Sequence, residues 1–135
     1  MEIITRNLCM AKDLGVHGNL FGGIMMSWLD EAGAIMASRT CKTKKMLTVK
    51  FEEIIFSKPV KENHEVNIYG EVEKIGNTSI TIKLSATRYD VYDQTEEEVC
   101  STKVIFVRIS HEGKKRPIDS DIREQFNKKQ NEKRV

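Results

Sequence analysis

The segment from Gly22 to about Arg39, GGIMMSWLDEAGAIMASR, constrains the fold of this 135-residue chain more than any other. It is long enough for five helical turns and contains no proline. Ile24, Met25, Met26, Trp28, Leu29, Ala32, Ala34, Ile35, Met36 and Ala37 put apolar side chains on nearly every side of it. A helix lying on a surface needs one apolar stripe, whereas a helix apolar almost all round has to be surrounded. The surrounding material follows in the sequence. Segments 46–56 (MLTVKFEEIIF), 64–75 (HEVNIYGEVEKI), 78–92 (TSITIKLSATRYDVY) and 97–109 (EEVCSTKVIFVRI) are rich in Val, Ile, Thr and Tyr. They alternate partly with period two, as in Ile80, Ile82, Leu84 and Ala86 against Thr81, Lys83, Ser85 and Thr87, and so predict long strands.

Residues 2–8 (EIITRNL) predict a shorter first strand, joined to the helix by the turn-prone loop AKDLGVHGN. IGNTS at 75–79 and YDQTEE at 92–97 read as hairpin turns, and SKPVKEN at 57–63 as a longer connection. Strand, helix, then four strands lacks the alternation that builds a parallel doubly wound sheet. The expectation is an α+β fold in which one curved, mostly antiparallel sheet covers the helix with its concave face and keeps a polar convex face. The helix has more apolar perimeter than one such sheet covers, so a second copy of the chain, as a homodimer, is the expected remainder.

The length suits one domain. The expected boundaries are residues 1–118 for the folded unit and 119–135 for a polar basic tail, with a turn at 111–118 and a frayed or partly helical end. Net charge is +2, and residues 111–135 hold 8 Lys/Arg against 5 Asp/Glu, leaving 14 against 15 in residues 1–110. A nearly neutral domain argues against a nucleic-acid-binding surface spread over the fold, although a local basic cluster could meet phosphates. Cys9, Cys41 and Cys100 are scattered and odd in number, which suggests neither a disulfide framework nor a zinc site and fits a reducing cytoplasm. The N-terminus lacks the pattern of a secretory signal, and no apolar run approaches the ~20 residues that span a bilayer. The expectation is a soluble cytoplasmic protein without membrane partners.

Two features of the helical segment suggest chemistry. Gly22 and Gly23 at its start leave backbone N–H groups at the positive end of the helix dipole and, lacking Cβ atoms, let a carbonyl oxygen approach them closely. The alternative is a plain cap or close packing against the sheet. Ser27, Asp30 and Glu31 form the only polar stripe, so Asp30 is either a half-buried reactive carboxylate or a solvent-facing or ion-paired one. Asp30 lies about 12 Å along an ideal helix from Gly22, too far for both to act on one carbonyl within a single subunit. A neighbouring subunit of a dimer would bring them together. His17, in the loop before the helix, is a candidate to bind, orient or deprotonate a ligand there, or is simply a surface residue. His64 and His111 suggest no role. No GxSxG, GxxxxGK or GxGxxG motif is present, and no His/Cys/Asp cluster has metal-ligand spacing.

HGNLFGGIMMSWLDEAGA at 17–34, FSKPV at 56–60, VEKIGNTSITI at 72–82 and the closing KVIFVRI and GKKRPI within 103–118 closely resemble the cytosolic acyl-CoA thioester hydrolases of the hotdog fold. The resemblance runs from about residue 3 to residue 118, in order and at compatible spacing. It implies a curved sheet around one long helix, a dimer with a continuous sheet, and further assembly to the hexamer that many such enzymes form. It implies hydrolysis of acyl-CoA to a free acid and CoA without a resident cofactor, coenzyme A being part of substrate and product. The family's catalytic carboxylate matches Asp30, as general base or as nucleophile, and the glycine whose N–H polarises the thioester carbonyl matches Gly22, with Gly23 beside it. The segment near the coenzyme's pantetheine or phosphates matches Lys74 to Ser79. Gly76, Asn77, Thr78 and Ser79 then contact substrate, and Lys74 or Arg88 supplies charge for phosphate.

Two departures from the family pattern are visible. Many relatives carry Asn where this chain has Gly15, leaving His17 or Asn19 to replace its side-chain amide. Some hotdog proteins carry His before the glycine pair, where this chain has Phe21, as the acyl-CoA hydrolase branch commonly does. The alternatives are a non-catalytic acyl-CoA sensor and a hotdog acyl dehydratase. The sensor would be expected to carry an added DNA-binding segment, whereas this chain begins almost at its first strand. The dehydratase would pair a loop His with a helix Glu, superficially His17 and Glu31.

Overall fold

A computed structural model of the chain describes residues 1–134. Its elements are β1 (Glu2–Leu8), a single 3-10 turn at Ala11–Asp13, α1 (Gly22–Cys41), β2 (Met46–Phe56), β3 (Glu65–Ile75), β4 (Ser79–Asp90), β5 (Thr95–Arg108) and α2 (Ser120–Lys133). The five strands form one antiparallel sheet in the order β1-β3-β4-β5-β2. β3, β4 and β5 are a meander in the middle, and β1 and β2 are the two edges. Since α1 links one edge strand to the other, it has to cross the whole concave face, and the expected α+β wrap follows from that connection.

The core lies between α1 and the sheet. Met25, Leu29, Ala32, Gly33, Met36, Ala37 and Cys41 recur at intervals of three and four and make the buried face of α1. They meet Val66 and Ile68 of β3, Ile80, Ile82, Leu84 and Ala86 of β4, and Cys100, Val104 and Phe106 of β5, all at most 1% exposed. Lys83, Ser85 and Thr87 point to the opposite, polar face, as the alternation requires. Two glycines set how closely the layers approach. A Cβ on Gly33 would lie 3.0 Å from Phe106 Cε2 and Cζ, and one on Gly70 would lie 2.5 Å from Ile4 Cδ1 and 3.0 Å from Leu84 Cδ2.

Strand ends fall within two residues of the sequence expectation. β5 starts earlier, at Thr95, because the β4–β5 turn is tight: Asp90 Oδ1 accepts from the N–H groups of Tyr92 (2.9 Å) and Asp93 (3.3 Å), and Gln94 takes a left-handed conformation. β2 is bulged between Glu52 and Ile55, with Glu53 at φ +41°. Ile118, the last residue of the expected folded unit, and Ile122 in the tail are buried, and residues 120–133 form a helix packed beside β3. No helix among the described residues is long and apolar enough to cross a membrane.

One sheet leaves part of the apolar surface uncovered. Met26 and Ile35 of α1 remain 37% exposed, Phe21 before the helix is 58% exposed, and Leu47, Val49, Ile55 and Phe56 of edge strand β2 are about half exposed. The close packing at Gly70 is directly testable. Gly70→Val should overfill the contact with Ile4, Leu84 and Met36 and cost about 2 kcal/mol, read as a lower urea midpoint with an unchanged slope.

Candidate active site

The loop before α1 is pinned so that the helix begins abruptly. Asp13 is buried; its carboxylate accepts from Met10 N–H (3.0 Å) and Lys12 Nζ (3.3 Å), and its carbonyl accepts from Phe21 N–H (2.9 Å). Leu20 N–H donates to Val60 C=O (2.8 Å), and Gly15 N–H to Asn19 C=O (2.8 Å). Phe21 is the N-cap, with extended backbone and no side-chain cap, and its carbonyl accepts from Ile24 and Met25. The N–H groups of Gly22 and Gly23 consequently have no partner among the described residues. They sit at the positive end of a 20-residue helix.

Two openings meet at Gly22. One, of about 350 Å³, is lined by Asn19, Leu20, Met25, Phe56, Lys58 and Val60 among others. The second, of about 660 Å³, is lined by Gly15, Val16, His17, Asn19 and Phe21. Asn19 belongs to both walls, and its Oδ1 is shielded from solvent without a hydrogen-bond donor. His17 lies on the second opening only and is exposed. Gly23 lies under the Phe21 ring, whose Cε2 would be 2.8 Å from a Cβ placed there.

The polar stripe of α1 divides into three environments. Ser27 is exposed, and its hydroxyl donates back to Ile24 C=O (2.7 Å). Glu31 is exposed and makes no hydrogen bond or ion pair among the described residues. Asp30 is half-buried, and its Oδ1 accepts a 2.6 Å hydrogen bond from Thr48 Oγ1 on β2. This strong bond to a carboxylate fixes the carboxyl plane and leaves Oδ2 without a donor among the described residues. Sequence reasoning did not single out Thr48. The available signal was a hydroxyl at an inward position of β2, where the neighbouring inward residues, Met46 and Phe51, are apolar.

The remaining candidates lie elsewhere. Gly76 closes the β3–β4 hairpin by donating its N–H to Ser79 C=O (2.8 Å). Thr78 C=O accepts from Arg108 N–H and Asn77 C=O from Ile118 N–H, which place this turn, with Lys74 beside it, at the C-terminal end of α1. Arg88 is at the opposite end, donating to Pro59 C=O and to Glu97 Oε2 (3.2 Å), which Lys58 also contacts. Within one subunit the structure brings Gly22, Gly23, Asn19 and His17 together and sets Gly76 to Ser79 at the far end of the helix. No group of three or more His, Cys, Asp or Glu among the described residues is arranged to hold a metal ion.

The signature of the thioesterase superfamily matches residues 17–100. An uncharacterized acyl-CoA thioester hydrolase of Haemophilus influenzae is 31% identical over 129 residues, covering 93% of this chain and 83% of the relative. Among solved structures, an aspartate-to-alanine mutant of HI0827, a hexameric broad specificity acyl-coenzyme A thioesterase, is 29% identical with a TM-score of 0.85, covering 93% of this chain and 92% of that one. Cj0915, a hexameric hotdog fold thioesterase of Campylobacter jejuni, is 28% identical with a TM-score of 0.86, covering 94% and 97%.

Thiols are poor candidates for the nucleophile. All three cysteines are buried and unpaired. Burial pushes Cys41 and Cys100 up to about 11, and burial with the nearby carboxylates of Asp13 and Glu62 raises Cys9. Titration of the folded protein at pH 8 with dithiobisnitrobenzoate should find essentially no reactive thiol, and titration in guanidinium should find three. The same shifts make thiol ionisation favour the unfolded chain, so this contribution to stability is complete below pH 9 and declines from there toward 11.

Proposed function

The chain belongs to the thioesterase superfamily and has the hotdog fold, and from that premise we propose that it is a homo-oligomeric acyl-CoA thioester hydrolase with Asp30 as general base and the Gly22 N–H as the group that polarises the thioester carbonyl. The observation that carries this reading is the Thr48–Asp30 hydrogen bond. A half-buried carboxylate on an otherwise apolar helix is oriented by a hydroxyl from the edge strand, with one oxygen left free. An unpaired N–H on the same helix opens into two pockets, which offer separate routes for the acyl chain and the pantetheine arm.

The distance between the two groups gives the quaternary arrangement a part in catalysis. Two copies joined along β2 have to run antiparallel about a two-fold axis. That pairing covers Leu47, Val49, Ile55 and Phe56 and makes one continuous sheet. It brings Asp30 of one copy toward Gly22 of the other, so each active site takes one group from each subunit. Further assembly to a hexamer, as in the relatives HI0827 and Cj0915, is part of the same reading. In the reaction, Asp30 Oδ2 takes a proton from water as the water oxygen attacks the carbonyl carbon. The Gly22 N–H stabilises the developing oxyanion, and the C–S bond breaks as the proton passes to the departing thiolate of CoA. Asn19, with its shielded amide beside Gly22, takes the place of the amide missing at Gly15, with His17 further out on the rim. The reading assigns no resident cofactor, and coenzyme A enters only as part of the substrate. It places the protein in the cytoplasm, where its three thiols stay reduced.

Thiol release from acetyl-, octanoyl-, palmitoyl- and benzoyl-CoA tests the reaction. Asp30→Asn should lower kcat about a thousandfold, Thr48→Val about tenfold through loss of one bond to a charged group, and Glu31→Gln at most a few fold. Gly22→Pro removes the N–H at a first-turn position where proline fits, behind a Phe21 already extended at φ −66° and ψ 133°. It should fold normally and lose about a hundredfold in kcat. Mixed assemblies of Asp30→Asn with Gly22→Pro subunits should regain activity, since one of their two sites has both groups intact. Inactive mixtures would overturn the shared site, and absence of turnover in the unmodified protein would overturn the hydrolase.

A further inference from the structure

We propose that Lys58 is a specificity residue that favours short acyl groups ending in a carboxylate as substrates of the thioester site. The two openings at Gly22 differ in depth. The larger has no buried residue in its lining and is bordered by the exposed Val16, His17 and Phe21. The smaller has Met25, Val60 and Val99 in its wall, each at most 3% exposed. The recessed opening suits the acyl group, and the shallow one suits the solvated pantetheine arm. At about 350 Å³ the recess lies near the lower end of the range of small-molecule sites, about 300–1,000 Å³, which fits a short acyl group better than a long chain.

The recess is apolar over most of its wall, through Leu20, Met25, Phe56, Val60 and Val99, and Lys58 is the one charged residue among the described residues that line it. Backbone bonds hold Lys58 in place. Ser57 N–H donates to Val99 C=O (2.9 Å) and Leu20 N–H to Val60 C=O (2.8 Å), so the segment leaving β2 is tied both to β5 and to the loop before α1. The Lys58 ammonium donates to Glu97 Oε2 (2.7 Å). Arg88 donates to the same oxygen (3.2 Å) and, through its other terminal nitrogen, to Pro59 C=O. Two cations thus share one carboxylate, and the cluster carries one uncompensated positive charge. An ammonium has three donors, and Lys58 uses one of them on Glu97. It can therefore meet a second carboxylate while Arg88, anchored on Pro59, keeps Glu97 balanced.

A carboxylate brought into an apolar recess loses hydration and needs a cation to replace it. An acyl group of glutaryl or adipoyl length has methylenes for Met25 and Phe56 and a terminal carboxylate for Lys58. An alkyl chain of the same length fills the recess equally well and offers nothing to the ammonium. Glu97 repels the incoming carboxylate, and Lys58 is partly exposed, so the preference is modest. The products of such a turnover are a dicarboxylic acid and CoA.

This inference rests on the thioester hydrolase reading, and the test separates their failures. kcat/KM is measured for glutaryl-CoA against valeryl-CoA and for adipoyl-CoA against hexanoyl-CoA, pairs of equal length that differ in the terminal carboxylate. The unmodified protein should favour the carboxylate member about fivefold. Lys58→Met should abolish that preference, and Lys58→Arg should keep it. Glu97→Gln removes the repelling charge and should enlarge the preference, whereas an ion pair that serves only the fold would make Lys58→Met and Glu97→Gln act alike. No preference in the unmodified protein overturns the proposal and leaves the hydrolase intact. So does a Lys58→Met loss equal for both members of a pair, the sign of a contact with the coenzyme instead of the acyl end. If no thioester is turned over, the hydrolase reading fails, and calorimetry with glutaryl-CoA and valeryl-CoA decides the recess alone. Tighter binding of glutaryl-CoA that Lys58→Met abolishes supports the proposal, and equal binding of the two overturns it.

Discussion

The need to cover an all-round apolar helix organises this protein. α1 joins the two edge strands of its sheet, so it lies across the concave face, and the sheet buries the row from Met25 to Cys41. One five-stranded sheet does not reach round the rest. Met26, Ile35 and the apolar side chains of β2 are left over at the edge where a second copy would complete both layers. The fold and its uncovered edge are thus consequences of one mismatch between helix perimeter and sheet width.

Against that background the polar residues of α1 acquire meaning. A carboxylate at the boundary of such a helix loses part of its hydration and has to recover it through a specific partner. Thr48 is that partner for Asp30, and it comes from β2, the strand with which the expected dimer would pair. Ser27 satisfies itself on the helix backbone and Glu31 stays in solvent, so neither is oriented by another element. The difference between Asp30 and Glu31 lies in tertiary structure, because neighbours in sequence point about 100° apart around a helix.

Much of this was legible in the sequence because it depends on periodicity. The long helix, the strand alternation around Ile80 to Ala86 and the turn at Gly76 all follow from local patterns, and the closed wrap follows from apolar surface that had no other cover. What depended on pairing between distant segments was not legible. Thr48 looked like any strand threonine until β2 was set beside α1, and the position of Arg88 beside Pro59 and Glu97 rather than near Lys74 is a matter of which end of β4 it occupies. From His111 onward the sequence suggests a polar, at most partly helical end, because Ile118, Ile122 and Phe126 are too sparse to suggest burial. Two of them are nevertheless covered once the chain returns past Asn77.

The electrostatic design follows from the same geometry. The positive dipole end of α1 lies at Gly22, while Lys42, Lys44 and Lys45 follow its negative end. In an isolated subunit these are opposite poles of one rod, unable to serve one ligand. The proposed antiparallel pair along β2 would set the free N–H end of each rod beside the C-terminal end of the other.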